Sequence, residues 1–180
     1  MGEKYMIELI EFNEKNYNEY IEMYNEFIFN KSDLIPDVLE LKCKNEDDFK
    51  NILIELANRK NGKHADLDWY KDSYYFLAFD NNVLIGMGCI RNNLTKKGYD
   101  VWGNIAYGVR PSQRQKGYGT KIARQLVVKC KELGMKEIIL CHYEDNIISP
   151  KIFNKIGAKY TNSANSTVND KKIKRYKITL

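Results

Sequence analysis

The segment Val109-Arg110-Pro111-Ser112-Gln113-Arg114-Gln115-Lys116-Gly117-Tyr118-Gly119-Thr120 constrains the fold more than any other. In it a basic turn with two glycines joins an apolar strand directly to an amphipathic helix. Upstream, Val101 to Arg110 reads as the strand, ended by Pro111, which cannot donate to a ladder. Downstream, Ile122, Ala123, Leu126, Val127, Cys130 and Leu133 form one apolar stripe at helical spacing, and Gly134 stops the helix just past its end. The first N–H groups of such a helix lack internal partners and sit at the positive end of its dipole, so the turn suits a phosphorylated ligand.

Two nucleotide motifs that also use glycines fail here. A Walker loop needs a Gly-Lys-Ser/Thr ending, and the dinucleotide fingerprint needs a third glycine where Ile122 stands. Charge points the same way as the turn. The net +5 is too mild to imply nucleic acid, but residues 108–136 carry eight Lys and Arg against Glu132 alone, a local +7 that attracts a polyanionic ligand. Lys121, Lys129 and Lys131 also fit the solvated face of a helix. Residues 1–60 carry 14 acids and 8 bases.

The rest of the chain reads as alternating strands and helices. Met6 to Phe12 is a strand, and Tyr17, Tyr20, Ile21, Tyr24, Phe27 and Ile28 recur at helical spacing. Pro36 interrupts. Asp47 to Ala57 is a second helix, and Asn58 to Asp68 a loop. Ser73 to Phe79 and Val83 to Ile90 pair as a hairpin through Asp80-Asn81-Asn82, followed by a polar loop from Asn92 to Asp100. Glu137 to Cys141 is a short buried strand. Ser149 caps a helix with Pro150 in its first turn and Gly157 at its end, Thr161 to Asn169 is a polar bend, and Ile173 to Leu180 is a last strand.

Arg114-x-x-Gly117-x-Gly119 resembles the Arg/Gln-x-x-Gly-x-Gly/Ala signature of the GNAT superfamily of acetyl-CoA-dependent N-acetyltransferases. The block from Asn146 through Ser149 and Phe153 to Gly157 resembles that family's Asn-x-x-Ser-x-x-x-Tyr-x-x-x-Gly pattern. With Ser73 to Arg91 as the central hairpin, the resemblance covers roughly residues 73–160 and is similar in particular to bacterial predicted acetyltransferases. It implies an α/β GNAT fold, a mixed, mostly antiparallel twisted sheet with helices on both faces. One N-acetyltransferase domain then spans residues 1–180, with acceptor-side helices in 1–70 and the acetyl-CoA core in 73–160.

The resemblance also implies a site. Arg114, Gln115, Lys116, Gly117, Tyr118, Gly119 and Thr120 would cradle the acetyl-CoA diphosphate, chiefly through backbone N–H groups. Val109 would lie where the strand splays from its neighbour and frees backbone groups for the pantetheine arm and the thioester carbonyl. Tyr107, on the same face, either lines the site or is a half-buried strand tyrosine. Asn146 would contact the cofactor arm or serve as a turn residue. Phe153 would line the cofactor site where the family often has a tyrosine that protonates the leaving thiolate, which phenylalanine cannot do. Tyr118 and Tyr143 are the alternatives.

An amine with a pKa near 10.4 is protonated at neutral pH, so a base must take its proton. Glu144 is the first candidate, with Asp145 and His142 beside it, and Asn104 can position a water. The acceptor is a small-molecule or peptide amine, and the acidic first third favours a cationic one. A non-catalytic acyl-CoA-binding sensor is the rival reading, and a nucleic-acid-binding module a remoter one. Cys43, Cys89, Cys130 and Cys141 have no metal-ligand spacing, so the expectation is no metal and buried, reduced thiols. No run reaches about 18 apolar residues, and Met6 stands where a myristoylation signal needs Ser or Thr. The expectation is a cytoplasmic protein with no membrane and no nucleic-acid partner. A homodimer is left open.

Overall fold

The computed structural model describes residues 7–63 and 69–180. The strands are β1 (Glu8–Glu11), β2 (Tyr70–Asp80), β3 (Val83–Leu94), β4 (Ile105–Val109), β5 (Glu137–Tyr143), β6 (Lys159–Asn165) and β7 (Lys172–Thr179). The helices are α1 (Tyr17–Phe29), α2 (Glu46–Lys60), α3 (Lys96–Val101), α4 (Tyr118–Glu132) and α5 (Ser149–Lys155). Met6, His64 and the end of the expected loop at Asp68 lie outside the described residues.

Local chemistry accounts for most boundaries. Asn45 caps α2 by accepting from Asp48 N–H at 2.9 Å, and the first-turn acids Glu46, Asp47 and Asp48 face Arg59 and Lys60 in the last, as the helix dipole favours. The β2–β3 hairpin turns on Asn81 and Asn82, both at positive φ (48° and 64°), the backbone that matches the twist of paired strands. Gly134 at φ 75° ends α4, with Met135 N–H bonded back to Cys130 O at 3.1 Å.

Three segments depart from the sequence reading. β3 continues through the expected polar loop to Leu94, because Asn92 and Asn93 donate across the hairpin to the carboxylate of Asp72 (3.2 and 3.1 Å). The expected strand from Val101 begins only at Ile105, because residues 96–101 wind into α3, whose Gly98 N–H bonds Thr95 Oγ1 at 3.3 Å. The expected bend at Thr161 to Asn169 is largely β6, an edge strand exposed at nearly every position, which leaves no apolar alternation to read.

The strands form two sheets, β1-β2-β3-β4 and β5-β7-β6, and every ladder among the described residues is antiparallel. Side chains of β2 and β3 alternate between two cores. Phe76, Ala78, Ile85 and Ile90 pack with Ile122 and Leu126 of α4 and Phe153 of α5. Tyr75, Leu77, Leu84, Met87 and Cys89 pack with Tyr20, Met23 and Phe27 of α1 and Phe49 and Ile52 of α2. Helices therefore cover both faces. Gly88 lets α4 lie close, since a Cβ there would stand 2.7 Å from Leu126 Cδ1.

The sheets meet at β4 and β5, where no ladder joins the two strands among the described residues. Their link is a single bridge, Gly103 to Leu140, reinforced by Asn104. Asn104 is buried. Its N–H bonds Ile139 O and its Oδ1 accepts from Ile139 N–H, both at 2.7 Å, while its Nδ2 donates to Arg91 O at 2.9 Å. One side chain thus fastens β3, β4 and β5 together, and beyond it β4 and β5 diverge. No described helix is long and apolar enough to cross a membrane.

Candidate active site

At the start of α4, Gln115 (φ 62°) and Gly117 (φ 80°) adopt left-handed backbone on either side of Lys116, a pattern found in anion-binding nests. The N–H groups of Gln115, Lys116, Gly117, Tyr118 and Gly119 donate no hydrogen bond among the described residues. Those of Thr120 and Lys121 turn back to Gly117 O. The two glycines serve different ends. Gly117 has open space around it and is needed for its conformation, whereas a Cβ on Gly119 would stand 3.1 Å from Ile152 Cδ1 and 3.7 Å from Val109 Cγ2.

The basic side chains of the turn brace it. Arg114 lies across the Phe27 ring and donates to Val109 O (3.2 Å) and Ser32 Oγ (3.0 Å), and Lys116 Nζ bonds Gln113 Oε1 at 2.8 Å. Arg110 Nε pairs with Glu26 Oε1 at 2.7 Å, and Glu26 Oε2 accepts from Ser112 N–H at 3.0 Å. Burial works to raise the Glu26 carboxyl, but the Ser112 and Arg110 hydrogen bonds prevail and hold it below the usual carboxylate range. Glu26 thereby ties α1 to the turn. Glu26→Ala is expected to lower the melting temperature by about 2–4 °C, near 1 kcal/mol for a domain this size, whereas the more exposed Glu22→Ala changes it little.

β4 presents its open edge beside this turn. Arg110 N–H bonds Ile85 O at 2.9 Å, so antiparallel alternation turns the backbone groups of Val109 and Tyr107 away from β3, toward the gap before β5. Into the gap opens a cavity of about 330 Å³. One part of its wall comprises Tyr107, His142, Tyr143, Asn146, Ser149 and Phe153. Another includes the charged residues Asp37, Glu40, Arg59 and Arg91 with Trp69 and Trp102.

In the first group, His142 is buried with its ring 5.7 Å from that of Phe153. Its Nδ1 lies 2.7 Å from Tyr143 O, an acceptor only, so Nδ1 carries the proton and Nε2 is left with a lone pair and no partner among the described residues. Burial lowers its pKa and keeps the ring neutral at neutral pH. The Tyr107 hydroxyl is likewise buried without a partner among the described residues, and burial raises its pKa. The Tyr143 hydroxyl is engaged by Asn169 Nδ2 at 2.9 Å.

Asn146, not Ser149, caps α5: its Oδ1 accepts from the N–H groups of Ile148 (3.1 Å) and Ser149 (3.0 Å), and Ser149 makes no capping bond. Glu144 stands outside the cavity, exposed, with its carboxylate 3.1 Å from Lys174 Nζ. It lines a separate shallow depression with Asp145, Lys171 and Lys172. The hydrogen bond from Lys174 lowers its pKa, which makes it a weaker base still. In sequence Glu144 follows a short strand that carries His142, and no local signal tells that the fold buries His142 and leaves Glu144 in solvent.

Several of the carboxylates in the first sixty residues are paired with bases. Glu22 and Glu26 hold Arg110, Asp37 and Glu55 hold Arg59, and Glu11 holds Lys60. Of the acids in the first sixty residues, Asp37 and Glu40 line the cavity.

Comparison with known proteins decides the family. The model of the acetyltransferase (GNAT) family matches residues 43–158, well over half the chain and spanning the turn, the open β4 edge and α5. The chain belongs to the GNAT acetyltransferase family. No curated protein sequence matches it. Among solved structures, the GNAT fold of this chain is similar to RimL, the ribosomal L7/L12 alpha-N-protein acetyltransferase in complex with coenzyme A, at 12% identity and a TM-score of 0.67, covering 98% of each chain. It is also similar to the microcin C7 self-immunity acetyltransferase MccE in complex with acetyl-CoA and AMP (16% identity, TM-score 0.67, 97% of this chain and 93% of that one). A third is yncA from Salmonella typhimurium with its cofactor acetyl-CoA (13% identity, TM-score 0.59, 97% and 94%). At these identities the likeness is one of fold.

Proposed function

We propose that this GNAT chain transfers the acetyl group of acetyl-CoA directly to a primary amine held in the 330 Å³ cavity. The observation that carries the reading is the run of five unbonded N–H groups from Gln115 to Gly119, set beside the open edge of β4. Diphosphate oxygens satisfy such a run with little rearrangement, and the positive end of α4 favours their charge. From there the pantetheine arm follows Val109 N–H and the backbone groups of Tyr107 on the open edge of β4, Val109 O being taken by Arg114, and the thioester reaches the wall formed by Tyr107, His142 and Phe153.

In this reading His142, not Glu144, handles the proton. The acceptor ammonium gives one proton to solvent, and its nitrogen attacks the thioester carbonyl carbon. The proton remaining in excess passes to His142 Nε2. The C–S bond breaks, and His142 returns that proton to the thiolate, so that Phe153 needs no hydroxyl. His142→Gln is expected to lower kcat by about 10²–10⁴-fold while the melting shift given by acetyl-CoA persists. Because both the base and the attacking amine must be neutral, activity should rise with the free-amine fraction up to the range of the amine, and should fall more steeply than that fraction as pH drops through the lowered His142 value, below 6.5. Glu144→Gln should change kcat little. Thiol release from acetyl-CoA over a panel of amines tests the transfer itself. A cofactor shift without release from any amine would favour the sensor reading.

A further inference from the structure

The charged part of the cavity wall holds a cation that the fold leaves poorly satisfied. Arg91 is 3% exposed, yet its guanidinium, with five N–H donors, makes one contact among the described residues, to Asp37 Oδ1 at 3.5 Å. Asp37 is committed elsewhere, to Arg59 Nη1 at 2.9 Å and the Tyr75 hydroxyl at 3.0 Å, and Arg59 also draws Glu55 to 2.7 Å. Among the described residues Arg91 Nε has no partner, and neither have the indole N–H groups of Trp69 and Trp102, whose rings stack 4.8 Å apart on the same cavity. A buried cation and two buried N–H groups without acceptors are costly unless oxygen atoms come to them.

We infer that this end of the cavity binds a carboxylate of the acceptor, so that the substrate is an amino acid carrying its reactive amine at the far end of a chain. Arg91 supplies the counter-charge and the two indoles supply neutral donors. Register sets the length. Arg91 N–H is bonded to Asn104 O, and Tyr107 lies three residues further along β4, about 10 Å away, which a terminal amine on an extended chain spans better than an α-amine. The inference rests on acetyl transfer for the fate of the amine, but carboxylate binding can be read without it.

The test uses the full chain and matched probes: ε-aminocaproate, its neutral amide, hexylamine and aminopentyl phosphate. In thermal melts without acetyl-CoA, ε-aminocaproate is expected to stabilise the chain and the amide and hexylamine not to. With acetyl-CoA, its KM by thiol release should lie about ten- to a hundredfold below theirs, the worth of hydrogen bonds to a charged group. Arg91→Met should erase the difference, and Trp102→Phe, which keeps a ring and removes one donor, should narrow it severalfold. If Arg91→Met does not fold, Arg91→Lys, which keeps the charge and loses the fork, should retain part of the preference. Equal stabilisation by all probes, a preference that survives Arg91→Met or is undiminished in Trp102→Phe, or a stronger effect of the phosphate would overturn the carboxylate assignment. A carboxylate shift without any acetyl-CoA shift would sink the transfer reading and leave this one standing.

Discussion

Gly117→Glu is expected to abolish the stabilisation that acetyl-CoA confers on the native chain. At a hundred times its dissociation constant the cofactor should stabilise the fold by about 2.7 kcal/mol, or roughly 5–10 °C in melting temperature for a domain this size. The variant acts twice. It forces a β-carbon onto backbone at φ 80°, and it puts a carboxylate among the N–H groups that would hold the diphosphate. Gly117→Asn separates the two effects, since asparagine tolerates left-handed backbone and adds no charge, so it should keep most of the shift. An unchanged shift in Gly117→Glu would remove the turn from the cofactor site.

The second large effect is expected at Asn104. Leucine matches its size but takes away the acceptor for Ile139 N–H and the donor to Arg91 O, leaving two buried backbone groups bare. At about 1–3 kcal/mol for each, Asn104→Leu should lose roughly 3–5 kcal/mol, on the order of 10 °C in melting temperature. Asn104→Asp should be no milder, because a carboxylate still accepts from Ile139 but cannot donate to Arg91 and is ionised where it is buried. Calorimetric melts of the two variants against the native chain provide the check. A drop of only a degree or two would mean that β3, β4 and β5 hold their places without this side chain. Because Asn104 fastens the closed end of the gap between β4 and β5, these variants should also weaken acetyl-CoA binding at temperatures where they remain folded.

What could be read from the chain alone depended on a few residues close in sequence. The helical stripes of α1, α2 and α4, the Asn81-Asn82 turn, the proline after β4 and the glycines at the start of α4 are local devices. Steric limits on φ and the periods of helix and strand act within a handful of residues, so their signals survive without any knowledge of contacts. Where local signals were polar or mixed, reading failed. Asn92 and Asn93 are strand residues because Asp72 stands opposite them, and β6 is a strand because β7 offers it a ladder.

The site divides in the same manner. Sequence alone determined the basic turn with its two glycines, and so the family and the proposed place for a diphosphate, because anion binding by backbone N–H needs only a helix start and residues that permit it. Tertiary structure alone decided the rest. It set Glu144 in solvent against Lys174 and buried His142 beside Phe153 with its tautomer fixed by a neighbouring carbonyl. It paired several acids of the first sixty residues with bases and left Arg91 with one distant contact, to a carboxylate engaged elsewhere. Burial and charge pairing are sums over residues distant in the chain, and proton affinity and ligand preference follow from those sums rather than from residue type.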